Sequence, residues 1–301
     1  MRTRLIGALS VLALLVTACS TNPTGGEIEG PPIEIASNDF AESQIVSEIY
    51  ARALELKGFS VTRKGKVGAR PISYAGLKDG QIDLMPEYVA SLLEFINENA
   101  GEATSDVDET LEILRRRAEP EGLVVLEPAP AIDTNAFATN QQTATEHGLE
   151  TLSDLQPVAG ELALGAPADC PRNPFCIPAL EANGIEFRNH DPLEEGPLWD
   201  ALEENAVQVA TVYSTRSIVA ARGFVVLEDD LGIFGADYIV PILNGEVADA
   251  YGQQLADALN AVSAELSTEE ITELNKRVEI DKEDVDDVAF DWLRGNGFLS
   301  K

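Results

Sequence analysis

The sequence contains few of the side chains on which enzyme chemistry usually depends. Only two histidines and three cysteines occur among its 301 residues. His147 and His190 both lie in polar stretches, which we predict to be solvated loops rather than sites of a catalytic base. The Gly-x-Ser-x-Gly elbow, the Walker phosphate loop and the Gly-x-Gly-x-x-Gly motif are all missing. We therefore predict no enzymatic activity, no cofactor, and no catalytic or metal-binding residues.

Basic side chains are also scarce, because 21 lysines and arginines stand against 52 aspartates and glutamates. The resulting net charge of -31 excludes a polyanionic partner such as nucleic acid. The hydrophobic fraction of 45% is typical of a folded protein, so the acidic residues are expected on the surface. Such a surface fits a saline habitat, where salt screens the repulsion, and equally fits a simple requirement for solubility.

No apolar run is long enough to cross a membrane comfortably. The longest, Leu5 to Val16, follows Arg2 and Arg4 and has the length of a signal-peptide core. Small residues then lead to Cys19, a pattern similar to the bacterial lipobox, in which the signal is cleaved before a lipidated cysteine. We predict a signal peptide over residues 1–18, a lipid-anchored tether over 19–32 and an extracytoplasmic location. An ordinary secretory signal is the alternative.

The two remaining cysteines, Cys170 and Cys176, lie six positions apart. In an oxidising compartment this spacing favours a short disulfide loop. Metal binding is the alternative, and it lacks companion ligands nearby in the sequence.

Strand and helix patterns alternate along the chain from Ile33 onwards. The first predicted helix has its cap at Asn38 or Asp39, and a later one extends over about 248–266. The alternation restarts after Pro130 and crosses back near Asp237. We predict an α/β protein of two lobes with a ligand cleft between them: residues 33–131 plus 241–301 form lobe 1, and 132–240 form lobe 2.

The segment from Asp83 to Ser91 places an aromatic side chain where such a cleft is expected. We predict that a buried strand ends at Pro86 and that a helix begins near Tyr88. Ligands of open α/β sheets bind beyond the carboxyl ends of strands, next to helix N-termini. Tyr88 is therefore predicted to face the ligand.

Taken together, these segments resemble the osmoprotectant-binding family of ABC-transporter substrate-binding lipoproteins, which capture glycine betaine, choline and related compounds. The likeness covers residues 33 to 299, and the order and spacing of its short motifs carry it. Those motifs are Ala36-Ser-Asn-Asp-Phe40, Gly80-Gln-Ile-Asp-Leu-Met-Pro-Glu-Tyr88, Val212-Tyr-Ser-Thr215, Leu227-Glu-Asp-Asp230 and Tyr238-Ile-Val-Pro241. The resemblance implies a two-lobed periplasmic-binding-protein fold, type II-like, that closes on its ligand.

In that family four tyrosines surround the quaternary ammonium group, which aromatic faces and nearby negative charge attract. Tyr88 matches the first tyrosine and Tyr213 the third. Asn135 stands in the place of the second, and Asp237 in the place of the fourth. A shift of one or two residues would instead bring in a neighbouring aromatic residue, Phe137 or Tyr238.

The part of the family site that holds a carboxylate also differs here. Asn38 replaces a lysine, Ser91 supplies the hydroxyl three positions after the first tyrosine, and Arg172 matches an arginine that grips the carboxylate. Simpler explanations stay open for these residues: the tyrosines as core aromatics, Asp237 as a turn cap, and Arg172 as the partner of a surface acid.

We therefore predict a lipid-anchored receptor that delivers a small compatible solute, such as glycine betaine or choline, to an ABC permease in the membrane. Choline has a hydroxyl and no carboxylate, so it tolerates the missing lysine better than glycine betaine does. The alternative is a receptor on the same scaffold for a non-osmolyte, such as an amino-acid derivative or a polyhydroxylated compound.

Overall fold

The computed structural model describes residues 28–168 and 170–299. Cys19, the predicted lipidation site, and the predicted signal peptide lie outside this part of the chain. Within the described ranges, no helix combines the length and apolar character needed to cross a membrane.

Two mixed β-sheets, each of five strands, form the centres of two lobes. The sheet of lobe 1 contains β1 Ile33–Ser37, β2 Val61–Lys66, β3 Leu84–Tyr88, β4 Leu123–Val125 and β10 Ile239–Asn244 in the order β2-β1-β3-β10-β4. The sheet of lobe 2 contains β5 Asn135–Thr139, β6 Ala163–Ala166, β7 Asn189–Pro192, β8 Val209–Tyr213 and β9 Val225–Leu227 in the order β7-β6-β8-β5-β9.

Helices cover the faces of both sheets. Those of lobe 1 are α1 Ala41–Leu56, α2 Arg70–Lys78, α3 Val89–Ile96, α4 Val107–Ala118, α9 Gly245–Tyr251, α10 Gln253–Ser263, α11 Thr268–Glu279 and α12 Val285–Gly295. Those of lobe 2 are α5 Gln141–His147, α6 Ile177–Ala182, α7 Glu195–Glu203 and α8 Ser217–Ala221. In α1 the apolar residues Val46, Tyr50 and Leu54 recur four positions apart and are fully buried in the core of lobe 1.

A short antiparallel ribbon connects the lobes where the chain crosses between them. Ile132 pairs with Tyr238, and the Asp133 amide donates to the carbonyl oxygen of Asp237 at 3.0 Å. Gly235 lies in the returning segment, and a Cβ atom there would be only 2.7 Å from Ala90 and 3.0 Å from the Phe175 ring. The two lobes therefore meet at a hinge that is closely packed around a glycine.

The predicted end of a strand at Pro86 is wrong, because β3 continues through it to Tyr88. Pro86 pairs with Pro241 of β10 in an antiparallel ladder. The Val89 amide donates to Tyr238, so the alternation of the ladder places the two prolines on a pair that exchanges no hydrogen bond. Neither proline is therefore required to donate an N–H to the other strand.

Three further local predictions are corrected by the structure. The N-cap of α1 is Phe40, which makes no side-chain cap, rather than Asn38 or Asp39. The helix expected over 248–266 is two helices, separated at Gly252, whose φ of 56° and ψ of -141° are not helical. The two histidines are not in loops: His147 is the last residue of α5, and His190 lies on the edge strand β7 with Nε2 3.1 Å from the Ala166 carbonyl oxygen.

The predicted disulfide between Cys170 and Cys176 is confirmed, with their Cα atoms 5.3 Å apart. Both cysteines are buried in the core of lobe 2, just before α6.

Candidate ligand-binding site

A cavity of about 430 Å³ lies between the two lobes. In lobe 1 the cavity is lined by residues at the end of β1 and in the first turns of α1, α2 and α3. In lobe 2 it is lined by the segment after β8. Its charged lining residues are Asp39, Glu42, Asp133 and Asp237, against Arg70 and Arg216. Four carboxylates therefore face two guanidinium groups around a single cleft.

Glu42 is the acid with the largest set of hydrogen bonds in this cavity. It lies in the first turn of α1 and is 2% exposed. The Tyr88 hydroxyl donates to its Oε1 at 2.7 Å, while Thr215 Oγ1 and Asn275 Nδ2 donate to its Oε2 at 2.5 and 2.7 Å. Thr215 belongs to lobe 2 and the other donors to lobe 1, so this carboxylate joins the two lobes.

Tyr88 stays a hydrogen-bond donor in this arrangement. Burial raises the pKa of its hydroxyl well above the ordinary value, and the negative charge of Glu42 adds to the effect. Its ring is 5% exposed, and the ring of Phe40 lies 6.1 Å away between centroids. Two aromatic rings from lobe 1 thus lie together in the cavity wall.

Asp237 is held at the other side of the cavity by Ser91 in α3. The Ser91 amide donates to its Oδ1 at 2.9 Å, and the Ser91 hydroxyl donates to its Oδ2. Burial raises the pKa of Asp237 to about 6, although the hydrogen bonds from Ser91 and the charge of Arg70 act in the opposite direction. Asp237 is therefore partly protonated near neutral pH.

Asp133 is the third buried acid and lies beside Thr215. Its Oδ1 accepts a hydrogen bond from the Thr215 amide at 3.3 Å. Burial raises the pKa of Asp133 well above its usual range, and the nearby charge of Glu42 raises it further. The cavity consequently holds acids whose ionised form a positively charged ligand would favour.

Both guanidinium groups of the cavity are paired with acids. Arg70 contacts Glu87, which is 1% exposed, with Nε 3.0 Å from Oε2 and 3.2 Å from Oε1. Arg216 forms an ion pair with Glu279 of α11. Because these positive charges are compensated, the cavity is expected to carry a negative potential.

Tyr213 forms the opposite wall of the cavity, from the end of β8 in lobe 2. Its side chain is 47% exposed, which contrasts with the buried ring of Tyr88. The cleft thus has one phenol from each lobe.

The family model for the substrate-binding domain of an ABC-type glycine betaine transport system matches residues 31–295. The chain belongs to this family. The predicted two-lobed α/β fold and the predicted role of an ABC-transporter substrate-binding component are thereby confirmed.

Relatives in two bacteria match along nearly the whole chain. The glycine betaine-binding protein YehZ of Escherichia coli is 26% identical over an alignment of 280 positions, which covers 89% of this chain and 91% of that protein. The carnitine transport binding protein OpuCC of Listeria monocytogenes is 25% identical over an alignment of 307 positions, which covers 99% of each chain.

Solved structures show the same fold. One titled a glycine betaine/carnitine/choline ABC transporter has a TM-score of 0.76 at 22% identity, with 89% of this chain and 100% of that chain covered. The apo structure of YehZ has a TM-score of 0.71 at 26% identity, with 90% and 100% covered.

Five of the seven residues predicted from the sequence to bind the ligand line the cavity: Tyr88, Tyr213, Ser91, Asp237 and Asn38. The amide of Asn38 is already engaged within lobe 1, since its Oδ1 accepts from Ser73 Oγ at 2.8 Å.

The other two predicted residues lie at neighbouring cavities. Arg172 is exposed in the disulfide loop and faces a surface depression that it shares with Arg70 and Ser91. Asn135 lies at the start of β5 and lines a second cavity, inside lobe 2, with Tyr213. This structure therefore does not place Arg172 and Asn135 in the main cavity.

Sequence patterns did not single out Glu42, Asn275 or Arg70 as residues of the site. Acids in the first turn of a helix are common because they complement the helix dipole, so Glu42 resembled an ordinary surface residue. Asn275 lies in the middle of α11, far from every motif. For Asp133 the sequence did indicate a place in the site, because this residue follows a crossing between the lobes and lies two residues before Asn135.

Proposed function

We propose that this protein is an extracytoplasmic receptor for a small quaternary ammonium compound, which it delivers to an ABC permease. The main support is the acidic cavity between the lobes, in which Tyr88 and Tyr213 form opposite walls. A quaternary ammonium group cannot donate an N–H hydrogen bond, so aromatic faces and carboxylate charge are the means of holding it. Closure of the lobes around the ligand would present the recognised form to the permease.

Choline is the preferred candidate over glycine betaine. Each guanidinium of the cavity already has a carboxylate partner, so a ligand carboxylate would find no free cation there and would lie against the carboxyl groups of Asp133 and Asp237. A ligand hydroxyl, in contrast, can donate to one of these acids. The relatives named for glycine betaine and carnitine support a quaternary ammonium ligand. The acids of this cavity support choline within that class.

The test is calorimetric titration of the purified protein with choline, glycine betaine and carnitine, with glucose as a neutral control. Choline is expected to bind saturably and more tightly than glycine betaine. In a thermal-shift assay, a ligand at a hundred times its dissociation constant adds ~2.7 kcal/mol to the stability. Absence of saturable binding by all three quaternary amines would refute the proposal.

A ligand with a protonated primary or secondary amine is the second candidate. Asp133 and Asp237 can accept hydrogen bonds that a quaternary amine cannot donate. Tighter binding of an amino-acid derivative than of choline in the same titrations would favour this receptor on the same scaffold.

We also propose that Cys19 anchors the mature chain to the membrane through a lipid. The short apolar run and the small residues before this cysteine support the proposal. Replacing Cys19→Ala should release the protein from the membrane fraction and remove the lipid mass from its N-terminal peptide. Retention of Cys19→Ala in the membrane would contradict the proposal.

A further inference from the structure

The second cavity, of about 230 Å³, lies within lobe 2 next to the main cleft. Tyr213 and Arg216 line both cavities, so the two spaces are neighbours at the end of β8. The antiparallel register pairs Asn135 with Tyr213, which places their side chains next to each other on neighbouring strands. A ligand that contacts Tyr213 in the main cavity is therefore close to Asn135.

Asn135 has the features of a side chain prepared for a ligand. It is only 9% exposed, and it lines the second cavity. Within residues 28–168 and 170–299, no hydrogen bond to its side-chain amide is found. An amide on a cavity wall without a protein partner is available for a hydrogen bond to a ligand. A ligand carbonyl or hydroxyl that reaches this cavity would satisfy it.

The second cavity has polar lining residues, such as Asn173 and Glu194, and one apolar side that is held in place. Leu198 and Trp199 of α7 line it, and the Trp199 ring stacks on Phe224 at 6.3 Å between centroids. The disulfide between Cys170 and Cys176 closes another side. This apolar side, together with the Asn135 amide, suits a short acyl chain with a carbonyl group.

We propose that the second cavity is a compartment of the ligand site that takes the acyl arm of an extended quaternary ammonium compound, such as an ester of choline. The inference rests on the proposed function, because the cationic head must occupy the acidic main cavity. The ester carbonyl would accept a hydrogen bond from the Asn135 amide, and the acyl carbons would pack against Leu198 and Trp199.

The test compares choline, acetylcholine and butyrylcholine by calorimetric titration of the purified protein. Each additional buried methylene group contributes roughly a fourfold gain in affinity, so butyrylcholine should bind about tenfold or more tighter than acetylcholine. Equal affinities for the three compounds would overturn the proposal while leaving the proposed function standing. Failure of all three to bind would refute both.

Two variants separate the compartment from the main cavity. Thr211 lines only the second cavity, so Thr211→Phe should fill it, remove the preference for the esters and change choline affinity less than twofold. Asn135→Leu keeps a similar volume but lacks the amide, and it should reduce the ratio of acetylcholine to choline affinity by roughly two- to tenfold. Ester preference that persists in both variants, with unchanged thermal unfolding, would place the acyl arm elsewhere.

Discussion

The partly protonated Asp237 predicts that a permanently charged ligand binds more weakly as the pH falls. Choline carries the same charge at every pH, so any dependence must arise from the protein. The pKa of Asp237 is raised to about 6, mainly because the side chain is buried. A cation favours its ionised form, so the ligand must displace a proton wherever Asp237 is protonated.

The size of the effect follows from this pKa. If the cation binds only to the ionised form, the dissociation constant rises about tenfold between pH 7 and pH 5, which is ~1.4 kcal/mol. Asp133 contributes in the same direction, because burial and the charge of Glu42 also raise its pKa. Arg70 and Ser91 oppose the shift at Asp237, and Glu87 adds to it. The tenfold figure therefore describes Asp237 alone.

The assay is calorimetric titration with choline at pH 5, 6, 7 and 8 at constant ionic strength. Asp237→Asn should weaken binding at pH 7 and reduce the pH slope by about one proton, since the amide does not titrate in this range. Asp249→Asn changes an exposed acid outside the cavity and should leave both quantities unchanged. A dissociation constant that does not depend on pH in the wild type, or an unchanged slope in Asp237→Asn, would refute this explanation.

Three other perturbations have expected outcomes. Tyr213→Ala should weaken the binding of choline by ~1 to 2 kcal/mol in titrations. It should not lower the melting temperature, because Tyr213 is 47% exposed. A large loss of stability would show that Tyr213 belongs to the core. Reduction of the bond between Cys170 and Cys176 should lower the free energy of unfolding by only ~2 kcal/mol in urea titrations, since the closed loop is short. A loss of two-state folding on reduction would contradict this. Added salt should raise the melting temperature, because it screens the repulsion within a net charge of -31. A melting temperature that falls between low and moderate salt would show that stabilising ion pairs outweigh this repulsion.

The sequence predicted the two lobes because strand and helix periodicities alternate and restart after Pro130. It failed at Pro86, where a residue that normally ends a strand is accommodated opposite Pro241. Nothing local to either residue reveals that the two are partners, since 155 positions separate them and only the folded sheet brings them into register.

The candidate site likewise contains residues that sequence patterns indicated and residues that only the structure revealed. Tyr88 and Tyr213 lie at strand ends, where local sequence patterns indicate a cleft, and the structure places both in its walls. Glu42 became visible only in three dimensions, because its three hydrogen-bond donors come from β3, α11 and the segment before α8. Residues assembled by long-range packing leave little trace in a single sequence.

Asp133 and Asp237 lie on the two chain segments that cross between the lobes, and the backbone amide of the first donates to the carbonyl oxygen of the second. The carboxylates that attract the solute are thus part of the hinge between the lobes. A substitution at either acid would therefore change how readily the lobes open and close as well as the affinity of the cavity for its ligand. Measured association and dissociation rates, more than equilibrium affinity, would distinguish these two contributions.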